Sequence, residues 1–124
     1  MRNDKKNIIV EKSFQFALKI VLYCELFEDK KKFVLSRQLL RSGTSIGANV
    51  REAQNAESKA DFIHKVKLAA KEADETEYWL LLCKNSPSYI FENLLLDDIQ
   101  ELIKILSKII SSAKANKPAI GFKH

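Results

Sequence analysis

Turn formers are scarce: three glycines and two prolines serve 124 residues. So few chain reversals cannot supply a sheet of short strands, which leaves helix as the dominant element. Cysteines number two, Cys24 and Cys83, far apart in the chain, so no disulfide framework can be built. The two histidines, His64 and His124, add no metal-ligand spacing to them. No apolar run reaches the roughly 18 residues of a membrane span. Ile8–Val10 is too short and too close to charge for a signal-peptide core. Together these gaps predict a cytoplasmic protein with reduced, buried thiols, no membrane partner, no metal and no cofactor.

Of the residues present, 46% are hydrophobic and 30% charged. That is the balance of one globular domain with length enough for a core. The net charge is +5, which permits binding to nucleic acid or another anionic surface and does not demonstrate it.

One stretch stands apart, Leu35 to Ala53, LSRQLLRSGTSIGANVREA. Leu35, Leu39, Ile46, Val50 and Ala53 form an apolar line. Gln38, Ser42, Ser45, Asn49 and Glu52 form a polar line beside it, and both periods are helical. Gly43 and Gly47 sit one turn apart, each costing a helix roughly 1 kcal/mol relative to alanine. Close approach of another backbone is the usual compensation; a break of the helix at Arg41–Gly43 is the rival reading.

Four helices follow from the patterning, over about 8–27, 33–56, 59–84 and 87–115, with a basic tail at 116–124 and a frayed start over Met1–Lys6. Asn7 caps the first helix. Its stripe is Val10, Phe14, Ala17, Val21 and Cys24, but Leu18, Ile20, Leu22 and Phe27 lie off it. Apolar surface on more than one face predicts burial on two sides, one of them a subunit contact. The charged link EDKKK, Glu28–Lys32, leads to helix two. Ser58 and Asp61 resemble a capping box and mark a break near Glu57–Ser58. Helix three has an unbroken seam of Phe62, Val66, Ala69, Ala73, Thr76, Leu80 and Cys83. Its alanine-thinned middle is the expected neighbour of the glycine pair. Asn85–Ser86–Pro87–Ser88 is a turn, with Ser86 as N-cap and Pro87 as first helical residue of helix four. The last seam is Leu95, Ile99, Leu102, Leu106, Ile109 and Ala113. Short connections make neighbours antiparallel, so the fold class is all-α, an up-and-down antiparallel four-helix bundle.

Chemistry is thin. Gly43 and Gly47 lack the Lys-Ser/Thr of a phosphate loop. Ser111-Ser-Ala-Lys114 matches S-x-x-K on the outer side of a lysine-studded helix, and His64 has no nucleophile that spacing brings near. Neither histidine follows an arginine at the spacing of helical ribonucleases. Glu72, Asp74, Glu75 and Glu77 crowd helix three without the Glu-x-x-His of di-metal bundles. Asp97 and Asp98 answer the dipole of helix four. No catalytic residue is therefore assigned, and the chain reads as a non-enzyme. Gln38, Ser42, Ser45 and Asn49, with Glu72 as partner, read as a structural polar network. Arg37, Arg41, Arg51, Lys65, Lys67 and Lys71 are the candidates for phosphate contact. Lys104, Lys108 and Lys114 form a further row on helix four. Rows that converge make a phosphate-binding surface; rows that do not are solvated faces.

The pattern L-x-x-Q-L-x-R-S-x-x-S-I-x-x-N-V-x-E-A, Leu35 through Ala53, resembles the signature of the four-helix-bundle family encoded in intervening sequences of bacterial 23S ribosomal RNA genes. Phe62, Ala69, Glu72, Glu75 and TEYWL, Thr76–Leu81, look like that family's third helix. The likeness covers about Val10 to Ala113, with a mild departure at Val50 and Arg51. It implies an antiparallel bundle that assembles as a homopentamer around a central channel. A related branch, the accessory protein of diversity-generating retroelements, is a basic pentamer that binds RNA or DNA and works with a reverse transcriptase. The resemblance thus implies a nucleic-acid partner. An interaction scaffold for proteins, without nucleic acid, is the alternative.

Overall fold

The computed structural model describes residues 7–115. Four helices follow one another: α1 Ile8–Asp29, α2 Phe33–Ala53, α3 Lys59–Asn85 and α4 Asn93–Lys114. Each packs against the next, and α1 closes on α4. This is the all-α up-and-down bundle that the short links predict, with no strand among the described residues. The start over Met1–Lys6 and the basic tail 116–124 lie outside the described residues.

Local chemistry sets most of the helix ends. The Asn7 side chain accepts from the Val10 amide, and Ser58 Oγ accepts from the Asp61 amide at 3.0 Å. Asp61 returns the cap to the Glu57 amide at 3.2 Å. At the end of α1 the Lys32 amide bonds the Phe27 carbonyl and the Lys31 amide bonds Glu28, at 2.8 and 3.0 Å. That pair is a Schellman closure, and Lys31 holds the left-handed position with φ 58°. Past Ala53, Gln54, Asn55 and Ala56 each bond three residues back, so the chain tightens into 3₁₀ geometry up to the expected end at Ala56.

The start of α4 departs from expectation by six residues: it begins at Asn93, and Ser86 ends α3 instead of capping α4. Tertiary contacts override the Ser-Pro signal. Tyr89 packs edge-on against Phe27 with ring centroids 4.9 Å apart. The Tyr23 hydroxyl donates to the Ile90 carbonyl at 2.5 Å. Held at both points, Ser86–Glu92 runs as a strap across the bundle end.

The seams predicted for α3 and α4 are buried at every position. On α1 the buried arc is different from the predicted stripe. It runs Ile9, Ser13, Phe16, Ile20, Tyr23 and Phe27; Val10 and Cys24 of the predicted stripe are buried with it, while Phe14 and Val21 face solvent. The neighbours choose this arc: α2 presents its two glycines to α1, and Ser13 is small enough to meet one of them.

The glycine pair therefore faces α1, not the alanines of α3. A Cβ at Gly43 would lie 2.9 Å from Ile20, and one at Gly47 would lie 3.4 Å from the Ser13 carbonyl oxygen. Helix α2 runs unbroken through both. Cys24 and Cys83 are free and buried. Burial pushes the Cys24 thiol up to about 12 and raises Cys83 as well.

Candidate nucleic-acid interface

The six basic candidates do not converge on one face. Arg41, on α2, reaches across to α3, where it meets Glu72 Oε1 at 3.1 Å and also pairs with Glu75. The guanidinium holds the Glu75 carboxyl below its ordinary value, helped by the Trp79 indole N–H at 3.0 Å. Lys65 lies 3.8 Å from Glu52 and 3.7 Å from Asp61. These two cations are already answered by carboxylates on the α2–α3 seam. Arg37 is exposed on α2, its guanidinium 5.2 Å from the centre of the Phe33 ring. Arg51 is exposed in the last turn of α2, where positive charge suits the helix dipole.

Lys67 and Lys71 belong to a different surface. Lys67 faces Lys114 of α4, and the like charge beside it lowers its ammonium pKa. Lys71 is exposed on the outer side of α3, near enough to Glu75 to favour its ionised form.

The polar line of α2 also divides. Ser42 is buried and hydrogen-bonds Thr76 of α3, with 2.8 Å between hydroxyl oxygens. Thr76 Oγ1 also reaches the Glu72 carbonyl at 2.8 Å. Ser45 and Asn49 instead bond back within their own helix, to the carbonyls of Arg41 and Ser45 at 2.6 and 2.9 Å. Gln38 is exposed. Glu72 serves Arg41 rather than the polar line. One cross-helix hydroxyl pair thus replaces the five-member network expected. Thr76 was readable as its partner, being the single hydroxyl in the α3 seam.

A buried pair that sequence reasoning missed joins the start of α1 to the end of α2: Asn7 Nδ2 donates to Gln54 Oε1 at 2.7 Å. Gln54 carries no periodic signal, because it lies one residue past the helix. The α1–α4 seam is crossed by Lys12–Glu101 at 3.2 Å and Lys19–Asp98 at 2.8 Å. Asp97 and Asp98, assigned to the helix dipole, lie beyond the first turn of α4, and Asp98 instead meets Lys19 of α1. Along these ion pairs lies a groove of about 410 Å³, lined by Ile8, Phe16 and Leu102 together with Glu11, Gln15 and the paired charges.

Among the described residues no cluster of three His, Cys, Asp or Glu is placed to hold a metal ion, and no helix is long and apolar enough to cross a membrane. His64 is exposed on α3, and Ser111 and Lys114 of the S-x-x-K match are exposed on α4.

Fold and surface define an antiparallel four-helix bundle with separated ion-paired and unpaired basic faces. The sequence profile of 23S rRNA-intervening sequence proteins matches residues 5–112. The chain belongs to that family. It is similar to a solved structure from Bacteroides thetaiotaomicron, described as a protein of unknown function from the S23 ribosomal protein family. The two are 50% identical, with a TM-score of 0.76 over 82% of this chain and 97% of the other. No curated protein matches the chain in sequence.

Proposed function

We propose that the chain is a non-enzymatic, self-assembling bundle that binds the backbone of RNA or DNA. The observation that carries the assembly is the outer side of α1. Phe14, Leu18, Val21, Leu22 and Leu26 are all exposed there, on a helix whose opposite side already fills the core. A cluster of large apolar side chains on the side of a helix away from its own core marks a contact surface. Leu40 of α2 is exposed as well, on the flank turned toward α1. Five copies is the number the resemblance implies, and a net charge of +5 per copy multiplies with each subunit added.

The test is the mass in solution, by light scattering, of wild type and of Phe14→Glu and Leu18→Glu. Wild type is expected as a discrete multimer. Both variants should dissociate while keeping helical circular dichroism, because neither side chain is in the core. A wild-type mass of one chain, 14.2 kDa, at tens of micromolar would sink the reading.

The alternative, a scaffold for proteins, is favoured by the α1–α4 groove. On that reading the purified oligomer binds neither RNA nor DNA at low salt.

A further inference from the structure

Helix α4 carries Lys104, Ser107, Lys108, Ser111 and Lys114 on one exposed arc. The spacings of three, one, three and three keep all five side chains on the same side of the helix. The Ser111–Lys114 match, without meaning as a catalytic pair, is the end of this row. Two contacts fix the register against α3. Gln100 Nε2 donates to Glu77 Oε2 at 3.2 Å, and Lys114 faces Lys67. The helices are antiparallel, so Lys108 stands level with Lys71. Lysines of α3 and α4 therefore stand at matching levels on the outer surface of two neighbouring helices, whose axes lie about 10 Å apart at ordinary packing distance.

Elsewhere in the bundle, Lys12, Lys19, Arg41 and Lys65 each have one or two carboxylate partners, and Lys32, Arg37 and Lys84 lie over aromatic rings. Lys67, Lys71, Lys104, Lys108 and Lys114 make no ion pair among the described residues. Asp74 and Glu75 follow Lys71 by one turn and Glu101 precedes Lys104 by one, but Glu75 is paired with Arg41 and Glu101 with Lys12. Lys67 and Lys114 face each other closely enough for like charges to interact, and an anion between them would offset that repulsion.

We infer that this α3–α4 face, Lys67 and Lys71 with Lys104, Lys108 and Lys114, is the surface that binds nucleic acid, contacting duplex phosphates through lysines and the interleaved Ser107 and Ser111 hydroxyls. The inference rests on the proposed nucleic-acid role and moves its site away from the arginines of α2. Lysines and hydroxyls on phosphate oxygens position a duplex without reading its bases. The stretches 67–71 and 104–114 contain no aromatic residue, so the stacking platform of single-strand binders is missing there. A duplex backbone is the ligand that remains.

The experiment uses the wild-type oligomer and two variants. One carries Lys67→Gln, Lys71→Gln, Lys104→Gln, Lys108→Gln and Lys114→Gln; the other carries Arg37→Gln, Arg41→Gln and Arg51→Gln. Affinity for a fluorescein-labelled 24-base-pair RNA duplex is measured by anisotropy from 25 to 200 mM KCl. Thermal melts and mass accompany each protein, and the exposed lysine positions are expected to leave both intact. The lysine variant should bind at least tenfold more weakly, with a salt slope shallower by about 3 or more. The arginine variant should stay within threefold of wild type. Full binding by the lysine variant, or a larger loss in the arginine variant, overturns the assignment while the nucleic-acid role stands. Failure of wild type to bind the duplex at 25 mM KCl overturns both. Preference of wild type for a labelled single strand, or for phosphatidylserine vesicles without duplex binding, overturns the duplex assignment.

Discussion

Ile20 of α1 occupies the space that a side chain on Gly43 of α2 would need. A Cβ there would lie 2.9 Å from Ile20 Cγ2 and 3.0 Å from Cγ1. Ile20 is fully buried, and its branched Cβ leaves it few rotamers to retreat into. At Gly47 the nearest atom, the Ser13 carbonyl oxygen, would be at 3.4 Å, an ordinary contact.

The two glycines should therefore respond oppositely to alanine. Gly43→Ala overpacks the α1–α2 seam and should lower stability by about 1–2 kcal/mol, even after the gain in helix propensity. Gly47→Ala keeps that gain without a clash and should raise stability by up to about 1 kcal/mol. Urea unfolding of both variants decides it; equal effects would mean that Ile20 is not the constraint.

Lys31 offers a second stabilising change. It holds a left-handed conformation, φ 58°, in which its Cβ is strained. Lys31→Gly should raise the melting temperature, with a net gain of about 0.5–1 kcal/mol after the glycine's greater chain entropy is subtracted. A fall in melting temperature would show that the lysine side chain contributes more than its backbone strain costs.

Ser42 and Thr76 should behave as one unit. Thr76→Val strands the buried Ser42 hydroxyl and should cost about 1–2 kcal/mol, while Ser42→Ala leaves Thr76 its bond to the Glu72 carbonyl and should cost less. The double variant should cost less than the sum, by at least about 0.5 kcal/mol, in a double-mutant cycle. Strict additivity would remove the bond from the list of what holds α2 to α3.

Acid should weaken the Arg41–Glu75 contact. The hydrogen bond from Arg41 lowers the carboxyl pKa of Glu75 in the folded chain. Its contribution is therefore complete above the unfolded glutamate value of about 4.3 and is lost as pH falls through the folded value. Wild type should melt above Glu75→Gln at pH 7, with the gap closing toward pH 3. Both side chains are partly exposed, 49% and 31%, so the gap is small. A gap that does not change with pH would assign the effect to Trp79 packing instead.

The fold was legible where one stripe ran unbroken in threes and fours along its helix. Phe62 through Cys83 on α3 and Leu95 through Ala113 on α4 are such stripes, and they are buried throughout. Asn7 and Ser58 were legible because a cap needs partners only three residues away. On α1 two arcs compete, Phe14–Ala17–Val21 and Ile9–Phe16–Ile20, and periodicity ranks them equally. The α2 surface decides between them, since its glycines admit Ser13 and Ile20. Pro87 misled for the same reason: a local helix start gave way to contacts of Tyr89 and Ile90 with residues more than sixty positions earlier.

Thus the sequence by itself determined the helix count, two complete seams and membership of the family, because these depend on spacings of three and four along a single chain. Only the tertiary structure decided which basic residues remain unpaired. Arg41 and Lys65 meet carboxylates on another element, while Lys67 meets Lys114. Charge neutralisation depends on distance in space, and that distance is set when helices dock in register.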